Sequence, residues 1–368
     1  MTENITDSET KIEQAFSGKI AVITSHISVS EDDYNSADGL TVKYGKDKII
    51  HVTWPVNFVT DKKEMMDIIT DLAADKDLKV LIINHALPGT NAAVDKFKEI
   101  RNDVFILYCV AHETADEVTK RANLILGVNE LGMGAAMVKQ ARKQGAKVFV
   151  HYSFPRHMAI PSIKDRWNMI HHVCDKEDIQ FINTMVPDPV GGSGFSEAQQ
   201  FIFNDVEETV AKYGDDTAFF CTNCNLQAPL IEAVVDNHAI YPQPCCPSPF
   251  HGFPEALGIE IDSGQMDLNH VITEACCIAE EKNMTDRLST WPVPAHMMFV
   301  NAGAEYAIKW INGEVSRNRI NDKVLEDCMN AYIKEVVGES IEVTMESHIE
   351  NGITYENCKL MLMNYLDF

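Results

Sequence analysis

Short, continuous apolar runs alternate along this chain with longer segments in which apolar residues recur at helical spacing. The runs at residues 19–25 (KIAVITS) and 79–84 (KVLIIN) are typical of buried strands, because they are apolar throughout instead of alternating with polar positions. Residues 61–75, between them, have the spacing of an amphipathic helix. This alternation predicts parallel sheets with helices on both faces.

The alternation occurs in two consecutive series, each long enough to build its own sheet. We therefore predict an α/β fold of two doubly wound parallel-sheet lobes. Between the first two strands we expect a loop that contains Asp38 and Gly39. Later in the chain we expect strands at residues 256–261 and 341–350 and a final helix at residues 355–366.

The charge of the chain narrows the classes of partner. The 368 residues include 31 basic and 55 acidic side chains, a formal net charge of −24. A field of that sign repels phosphate backbones and anionic membrane surfaces, so we expect neither nucleic-acid nor membrane binding. No run of about 20 apolar residues is present to span a bilayer.

The N-terminal residues and the cysteines point to a compartment. Residues 1–17 are polar and acidic, unlike a signal peptide, so we expect a cytoplasmic protein with a disordered tail. Earlier removal of a signal peptide would make it extracytoplasmic. The ten cysteines are scattered through apparent core segments, which favours free thiols over a disulfide framework.

One stretch carries a family resemblance. Residues 123–152 run through a strand, a glycine, a polar pair, a helix, a second glycine and another strand. These features are Gly127, Asn129 with Glu130, Gly145 and the apolar residues 148–150. A helical arginine, Arg166, the polar end of the strand at 219–223 and the segment 288–314 continue the pattern. This order resembles the type I periplasmic-binding-protein fold of sugar receptors and of lac-repressor-like effector domains.

The resemblance implies two lobes joined by a hinge, with a ligand cleft between them. It implies a first lobe of residues 18–129 and 291–313 and a second lobe of residues 130–290 and 314–368. Within this fold the chain is most similar to an uncharacterised bacterial family known only as a domain of unknown function.

The sequence departs from the lac-type regulators at both ends. Only about 18 residues precede the first strand, too few and too acidic for a DNA-reading helix-turn-helix. About 55 residues follow Gly313, and they could complete the second lobe or form an interface with a second copy or a partner protein.

Candidate site residues follow from the topology, because ligands bind beyond the carboxyl ends of parallel strands. The polar and aromatic residues at those positions or on the late crossover are Ser25, His26, Trp54, Asn57, Asn84, His85, Asn129, Glu130, Tyr152, Arg156, Asn223, Asn225 and Trp291. Such a set suits a ligand with hydroxyls or amides. We expect Glu130 and Arg156 to face its charged groups and both tryptophans to lie near it. The alternative is that these residues form ordinary caps and turns.

Two motifs raise the question of a cofactor. Gly132 and Gly134 form part of a dinucleotide-binding fingerprint, but the third glycine and the acidic ribose ligand are missing, so tight helix packing explains them better.

Cys221, Cys224, Cys245, Cys246 and His251 could supply a zinc site. However, Cys221 lies within an apolar strand, and adjacent cysteines rarely both bind a metal. We therefore expect no metal and no cofactor.

These observations favour a protein that binds or senses a small polar ligand, such as a sugar, a nucleoside or an amino-acid-like compound, by hinge closure. An enzyme of isomerase or lyase type that uses the same cleft is the alternative. A third possibility is an effector subunit of a regulator or transporter.

Overall fold

The computed structural model describes residues 16–27, 30–56, 61–192, 194–261, 267–316 and 319–368. The chain divides into two compact units. The first unit holds the chain up to Val128, Ala295–Glu335 and Glu342–Met361, and the second holds Asn129–Pro294, Val336–Ile341 and Leu362–Phe368. Within the described residues, no helix is both long and apolar enough to cross a membrane.

The first part of the chain alternates between strands and helices. In chain order the elements are β1 (Lys19–Thr24), α1 (Glu31–Tyr44), β2 (Ile49–Thr53), α2 (Lys62–Leu72), β3 (Leu78–Ile83), α3 (Thr90–Ile100), β4 (Phe105–Cys109), α4 (Ala115–Val118) and β5 (Leu124–Val128). The alternation resumes after β5.

The middle part consists of α5 (Glu130–Lys143), β6 (Val148–Ser153), α6 (Pro155–Met158), α7 (Pro161–Lys176), β7 (Gln180–Met185), α8 (Gly194–Tyr213), β8 (Thr217–Cys221), a 3-10 turn (Cys224–Leu226), α9 (Gln227–Asp236), α10 (Phe253–Leu257) and α11 (Leu268–Glu281). The last part consists of β9 (Ser289–Thr290), α12 (Ala295–Ile311), α13 (Asp322–Val337), β10 (Val343–Glu350), β11 (Ile353–Met363) and β12 (Leu366–Asp367).

The first unit is built on a seven-stranded sheet in the order β10-β11-β5-β4-β3-β1-β2. Its central strands pair in parallel, and Leu81, Ile82 and Ile83 of β3 are fully buried, as the apolar runs predict. The strand order reverses between β1 and β3. After β1 the chain adds β2 on one side of it, and then returns to the other side to add β3, β4 and β5. A reversal of this kind opens a crevice beyond the carboxyl ends of the two strands, where ligands bind in open α/β sheets.

The second unit repeats this strand order on a smaller scale. Its sheet has the order β7-β6-β8, and all its pairs are parallel. Isolated parallel bridges continue it from Ala218 to Ile240 and from Tyr241 to Leu288. The direction therefore reverses between β6 and β8. The two separate sheets, which consist mainly of parallel strand pairs, confirm the predicted α/β fold.

The predicted loop around Asp38 and Gly39 is wrong, because both residues lie within α1. Ser30 caps this helix by accepting a hydrogen bond from the backbone N–H of Asp33. Gly39 occupies a close contact with α12, since a Cβ at this position would lie 3.2 Å from Oδ1 of Asn301. This close packing explains why the helix contains a glycine, a residue that indicates a turn in the sequence.

The end of the chain also differs from prediction. Residues 355–366 contribute most of β11 instead of a helix, because Asn351 and Gly352 adopt positive φ and form a tight hairpin turn from β10. β11 then pairs in parallel with β5. This pairing places most of the C-terminal extension in the first unit, so its assignment to the second lobe is wrong.

Two further boundaries are corrected. The predicted strand at 256–261 is replaced by α10, which begins after Gly252 and ends at Gly258, both with positive φ. The return of the chain to the first unit occurs at Ala295 instead of residue 291.

Candidate functional site

A buried carboxylate, that of Asp33 in α1, lies beside the ends of β1 and β3, where the strand order of the first unit reverses. Its side chain is fully buried. Oδ2 of Asp33 accepts a hydrogen bond of 2.6 Å from the backbone N–H of Ser25, directly after β1. From the end of β3, the Asn84 amide donates to Oδ1, and Nδ1 of His85 lies 3.0 Å from Oδ2. We call Ser25, Asp33, Asn84 and His85 the carboxylate cluster.

The partners of Asp33 keep it ionised. Burial acts to raise the pKa of Asp33, but the hydrogen bond and charge of His85 and the hydrogen bonds from Ser25 outweigh it, so the pKa lies below its ordinary value. The position of Asp33 in the first turn of α1 adds the favourable field of a helix N-terminus. The cluster is therefore a fixed negative charge that orients an imidazole.

Two more imidazoles surround His85. The ring centroids of His296, at the start of α12, and His112, after β4, lie 5.3 Å and 6.1 Å from that of His85. The pKa of His112 is lowered by burial and by the nearby His85. Oδ1 of Asn84 is buried and has no hydrogen-bond partner among the described residues. An unpaired buried acceptor of this kind costs free energy unless a ligand or water donates to it.

The reversal of the second unit gathers hydroxyls and an imidazole instead of a carboxylate. The hydroxyl oxygens of Ser153, at the end of β6, and Thr222, after β8, are 2.9 Å apart. Nδ1 of His157 lies 3.0 Å from the Thr222 oxygen. Burial and the charge of Arg156 lower the pKa of His157, which favours a neutral imidazole. We call Ser153, His157 and Thr222 the hydroxyl cluster.

The charged residues expected to face a ligand are already paired. Arg156 makes a bidentate ion pair with Asp188, with bonds of 2.8 and 2.9 Å, and its side chain is half exposed. Glu130 accepts a 2.7 Å bond from Arg166, whose side chain is buried against Phe220. A ligand would have to compete with these ion pairs or bind beside them.

The three aromatic residues that were expected to contact a ligand are buried. Trp54 and Trp291 are buried, and the indole N–H of Trp54 donates to the backbone oxygen of His85. The hydroxyl of buried Tyr152 donates to Asp205 at 2.6 Å. The burial of these side chains favours a packing role for them.

The predicted asparagines lie mainly in caps. Asn129 caps α5 by accepting from the Gly132 N–H at 2.7 Å, and Asn223 caps the 3-10 turn by accepting from the Asn225 N–H at 3.0 Å. The side chain of Asn225 is exposed. His26 is half-buried after β1, and Asn57 lies outside the described residues.

The glycines of the dinucleotide-like motif are explained by packing. A Cβ at Gly132 would lie 2.8 Å from Asn129, and one at Gly134 would lie 3.0 Å from Arg166. Neither position has room for a side chain, so the structure accounts for both glycines without a nucleotide.

Sequence reasoning missed five residues that the fold brings to these clusters. They are Asp33, Ser153, His157, Thr222 and His296. For Asp33 a signal was present, since a serine three residues before an acidic residue is typical of a helix start. The hydroxyl cluster carried no motif, because its members come together only through the pairing of β6 with β8.

The chain has the type I periplasmic-binding-protein-like fold, as its similarity to two solved structures shows. The chain superposes with a TM-score of 0.86 and 20% identity on a putative transcriptional regulator from Clostridium difficile 630, covering 96% of this chain and 99% of that one. A sugar ABC transporter protein from Actinomyces odontolyticus ATCC 17982 superposes with a TM-score of 0.53 and 9% identity, covering 84% and 86%.

The family is defined by sequence as well. Residues 18–289 match the model of the family described as "Protein of unknown function (DUF3798)", and the chain belongs to this family. An uncharacterized protein from Treponema pallidum (strain Nichols) is 31% identical over 164 residues, which cover 45% of this chain and 76% of that protein.

Proposed function

We propose that this protein binds a small polar ligand through the carboxylate cluster of the first unit and the hydroxyl cluster of the second. One observation carries the proposal: both units reverse their strand order, and each reversal gathers polar side chains from distant parts of the sequence. In open α/β sheets this is the position at which ligands bind. Closure of the two units on a shared ligand is the mechanism we infer, because a ligand that contacts both favours the closed state.

The side chains of the clusters define the ligand chemistry. The carboxylate cluster offers an imidazole and the unpaired Oδ1 acceptor of Asn84. The hydroxyl cluster offers groups that both donate and accept. A compound with several hydroxyls or amides, such as a sugar, a nucleoside or an amino-acid-like compound, fits both. The sugar ABC transporter protein of similar fold supports the inclusion of sugars among the probes.

A specific observation favours an enzyme as the second candidate. Asp33 holds His85 by one ring nitrogen, which is how a carboxylate orients an imidazole that acts as a general base. Proton abstraction by such a base is a step of isomerase and lyase reactions. Chromatography of a bound compound before and after incubation distinguishes the candidates, because a binding protein returns it unchanged.

Thermal melting with a panel of sugars, polyols, nucleosides and amino acids tests the proposal. A ligand at about 100 times its Kd adds about 2.7 kcal/mol to stability. We expect at least one panel compound to raise the Tm of the wild-type chain, and the increase to be lost in His85→Asn and Thr222→Val. Asparagine suits position 85 because the backbone there has a φ of 51°.

His172→Asn is the matched control, since His172 is exposed on α7. This variant should respond like the wild type. A panel that leaves the wild-type Tm unchanged, or increases that survive in both cluster variants, would overturn the proposal.

A further inference from the structure

Three cysteines and a histidine converge in the second unit from two separate segments. Cys224 lies in the 3-10 turn after β8, and Cys245, Cys246 and His251 lie in residues 241–252, the proline-rich segment before α10. Sγ of Cys245 is 3.5 Å from Sγ of Cys224, 3.9 Å from Sγ of Cys246 and 3.6 Å from Nε2 of His251. The ligand atoms of Cys224, Cys245 and His251 all lie within 4.8 Å of one another. We call these four residues the thiol cluster.

The distances from Cys245 to Cys224 and to His251 match the edges of a tetrahedral metal site. Zinc binds sulfur at about 2.3 Å and imidazole nitrogen at about 2.0–2.1 Å, which gives edges of about 3.8 Å between two sulfurs and about 3.6 Å between sulfur and nitrogen. A disulfide requires a sulfur–sulfur distance of about 2.05 Å, so the separation of Cys224 and Cys245 is that of two thiols.

One buried side chain holds both segments in place. The amide of Gln227 donates to the backbone oxygens of Cys221, at 3.0 Å, and Asn223, just before Cys224. Its Oε1 accepts from the hydroxyl of Tyr241, at the start of the proline-rich segment. Gly252, next to His251, packs so closely that a Cβ there would lie 2.8 Å from Cβ of Gln227. The cluster is therefore preorganised by contacts outside it.

We propose that Cys224, Cys245 and His251 bind a zinc-like divalent cation. The sulfur of Cys246 lies 3.9 Å from that of Cys245 but outside this group of mutually close ligand atoms, so Cys246 becomes the fourth ligand only by a rotation of its side chain. Such a site reverses the expectation of a metal-free protein. Cys221, which forms a C-x-x-C with Cys224 in the sequence, takes no part, since it is fully buried within β8. The cation would tie the proline-rich segment to the residues that follow Thr222, and so fix one side of the hydroxyl cluster.

Metal titration of the full-length chain tests this inference. The protein is stripped with a chelator under reducing conditions and titrated with Co²⁺, which reports tetrahedral geometry by its visible absorption and thiolate ligation by ultraviolet charge transfer. Zn²⁺ affinity is then measured against a chromophoric chelator. We expect one ion per chain, with affinity weakened by at least about tenfold in Cys224→Ser, Cys245→Ser and His251→Asn.

Cys277→Ser is the matched control, because Cys277 is exposed on α11 outside the cluster. It should bind like the wild type, whereas Cys246→Ser should reduce the charge-transfer intensity. Unchanged intensity in Cys246→Ser would overturn the assignment of the fourth ligand. The absence of thiolate charge transfer, or equal affinity in the other three variants, would overturn the site.

A second readout guards against variants that fail to fold. In the wild type, bound Zn²⁺ should protect Cys224, Cys245 and Cys246 from alkylation and leave Cys277 reactive, as peptide mass spectrometry would show. Equal labelling with and without Zn²⁺ would contradict the proposal. Because metal binding is measured without any organic ligand, its failure is distinguishable from failure of the proposed ligand binding.

Discussion

The two units share a strand order but place different chemistry at its reversal. The first unit buries an ionised carboxylate that three neighbours hold, whereas the second joins two hydroxyls and a neutral imidazole. A buried charge needs all its partners, because each loss leaves an uncompensated ion, while a neutral cluster loses only single hydrogen bonds. The comparison teaches that one topology can support sites of very different sensitivity to substitution.

The largest expected effect is on Asp33. Asp33→Ala should destabilise the first unit by about 3–5 kcal/mol, because the Ser25 N–H, the Asn84 amide and the His85 ring lose their common acceptor. Hydrogen exchange followed by mass spectrometry resolves the two units. Peptides of β1 and β3 should exchange faster while those of β6 and β8 stay as in the wild type. Unchanged protection of β1 and β3 would contradict the claim that the first unit depends on its buried carboxylate.

Two buried groups, Asp33 in the first unit and His151 in the second, should respond to acid over different pH ranges. His151 in β6 is buried, and burial lowers its pKa to about 3. The unfolded chain binds this proton near the ordinary value of 6.5, so the second unit should lose up to about 1.4 kcal/mol of stability for each pH unit between 6.5 and 3. His151→Phe should flatten this dependence in hydrogen exchange of β6.

Asp33 should lose its stabilising effect only at lower pH. Its pKa is lowered by folding, so its stabilisation is complete above the ordinary value of 3.8 and is lost only as the pH falls below it toward the folded value. Because the lowered pKa of His112 also makes the first unit sensitive to acid, the contribution of Asp33 is measured as the stability difference between the wild type and Asp33→Ala in β1 and β3. A difference that already shrinks near pH 6 would contradict this range.

A smaller effect is expected in the hydroxyl cluster. Thr222→Val keeps the shape of the side chain and removes one hydroxyl, so it should cost about 1 kcal/mol in the second unit. Denaturant unfolding followed by hydrogen exchange of β8 measures this cost. A loss as large as that of Asp33→Ala would show that the neutral cluster is as demanding as the charged one.

The smallest effect is expected at Arg156. Its ion pair with Asp188 is half exposed, so Arg156→Ala should change stability by less than about 1 kcal/mol. The same variant should weaken ligand binding if the guanidinium reaches the ligand. A large fall in Tm without ligand would instead identify Arg156 as a structural residue.

The sequence predicted the sheets better than the sites. Continuous apolar runs such as β3 specify buried parallel strands directly, and the residues that follow them, including Asn84 and His85, could be chosen by topology alone. The sequence of β11 predicts a helix because its leucines and methionines favour one, and only pairing with β5 makes it a strand.

Residues from separate segments were harder to predict. Asp33 reaches the carboxylate cluster from a helix in a region where the sequence predicts a loop. Cys224 and Cys245 are 21 residues apart, and their contact depends on the bonds of Gln227 to both segments, which no local pattern encodes. Cys221 was easier to predict, because its place in an apolar run excludes it from the cluster, and the structure buries it in β8.

Retention of small molecules tests the central claim most directly. The wild-type chain is incubated with a polar metabolite extract and washed by ultrafiltration, and the retained compounds are identified by mass spectrometry. We predict that a hydroxyl- or amide-rich compound is retained by the wild type and by His172→Asn, and lost from both His85→Asn and Thr222→Val. Retention of no compound, or equal retention by all four proteins, would contradict ligand binding at the two reversals.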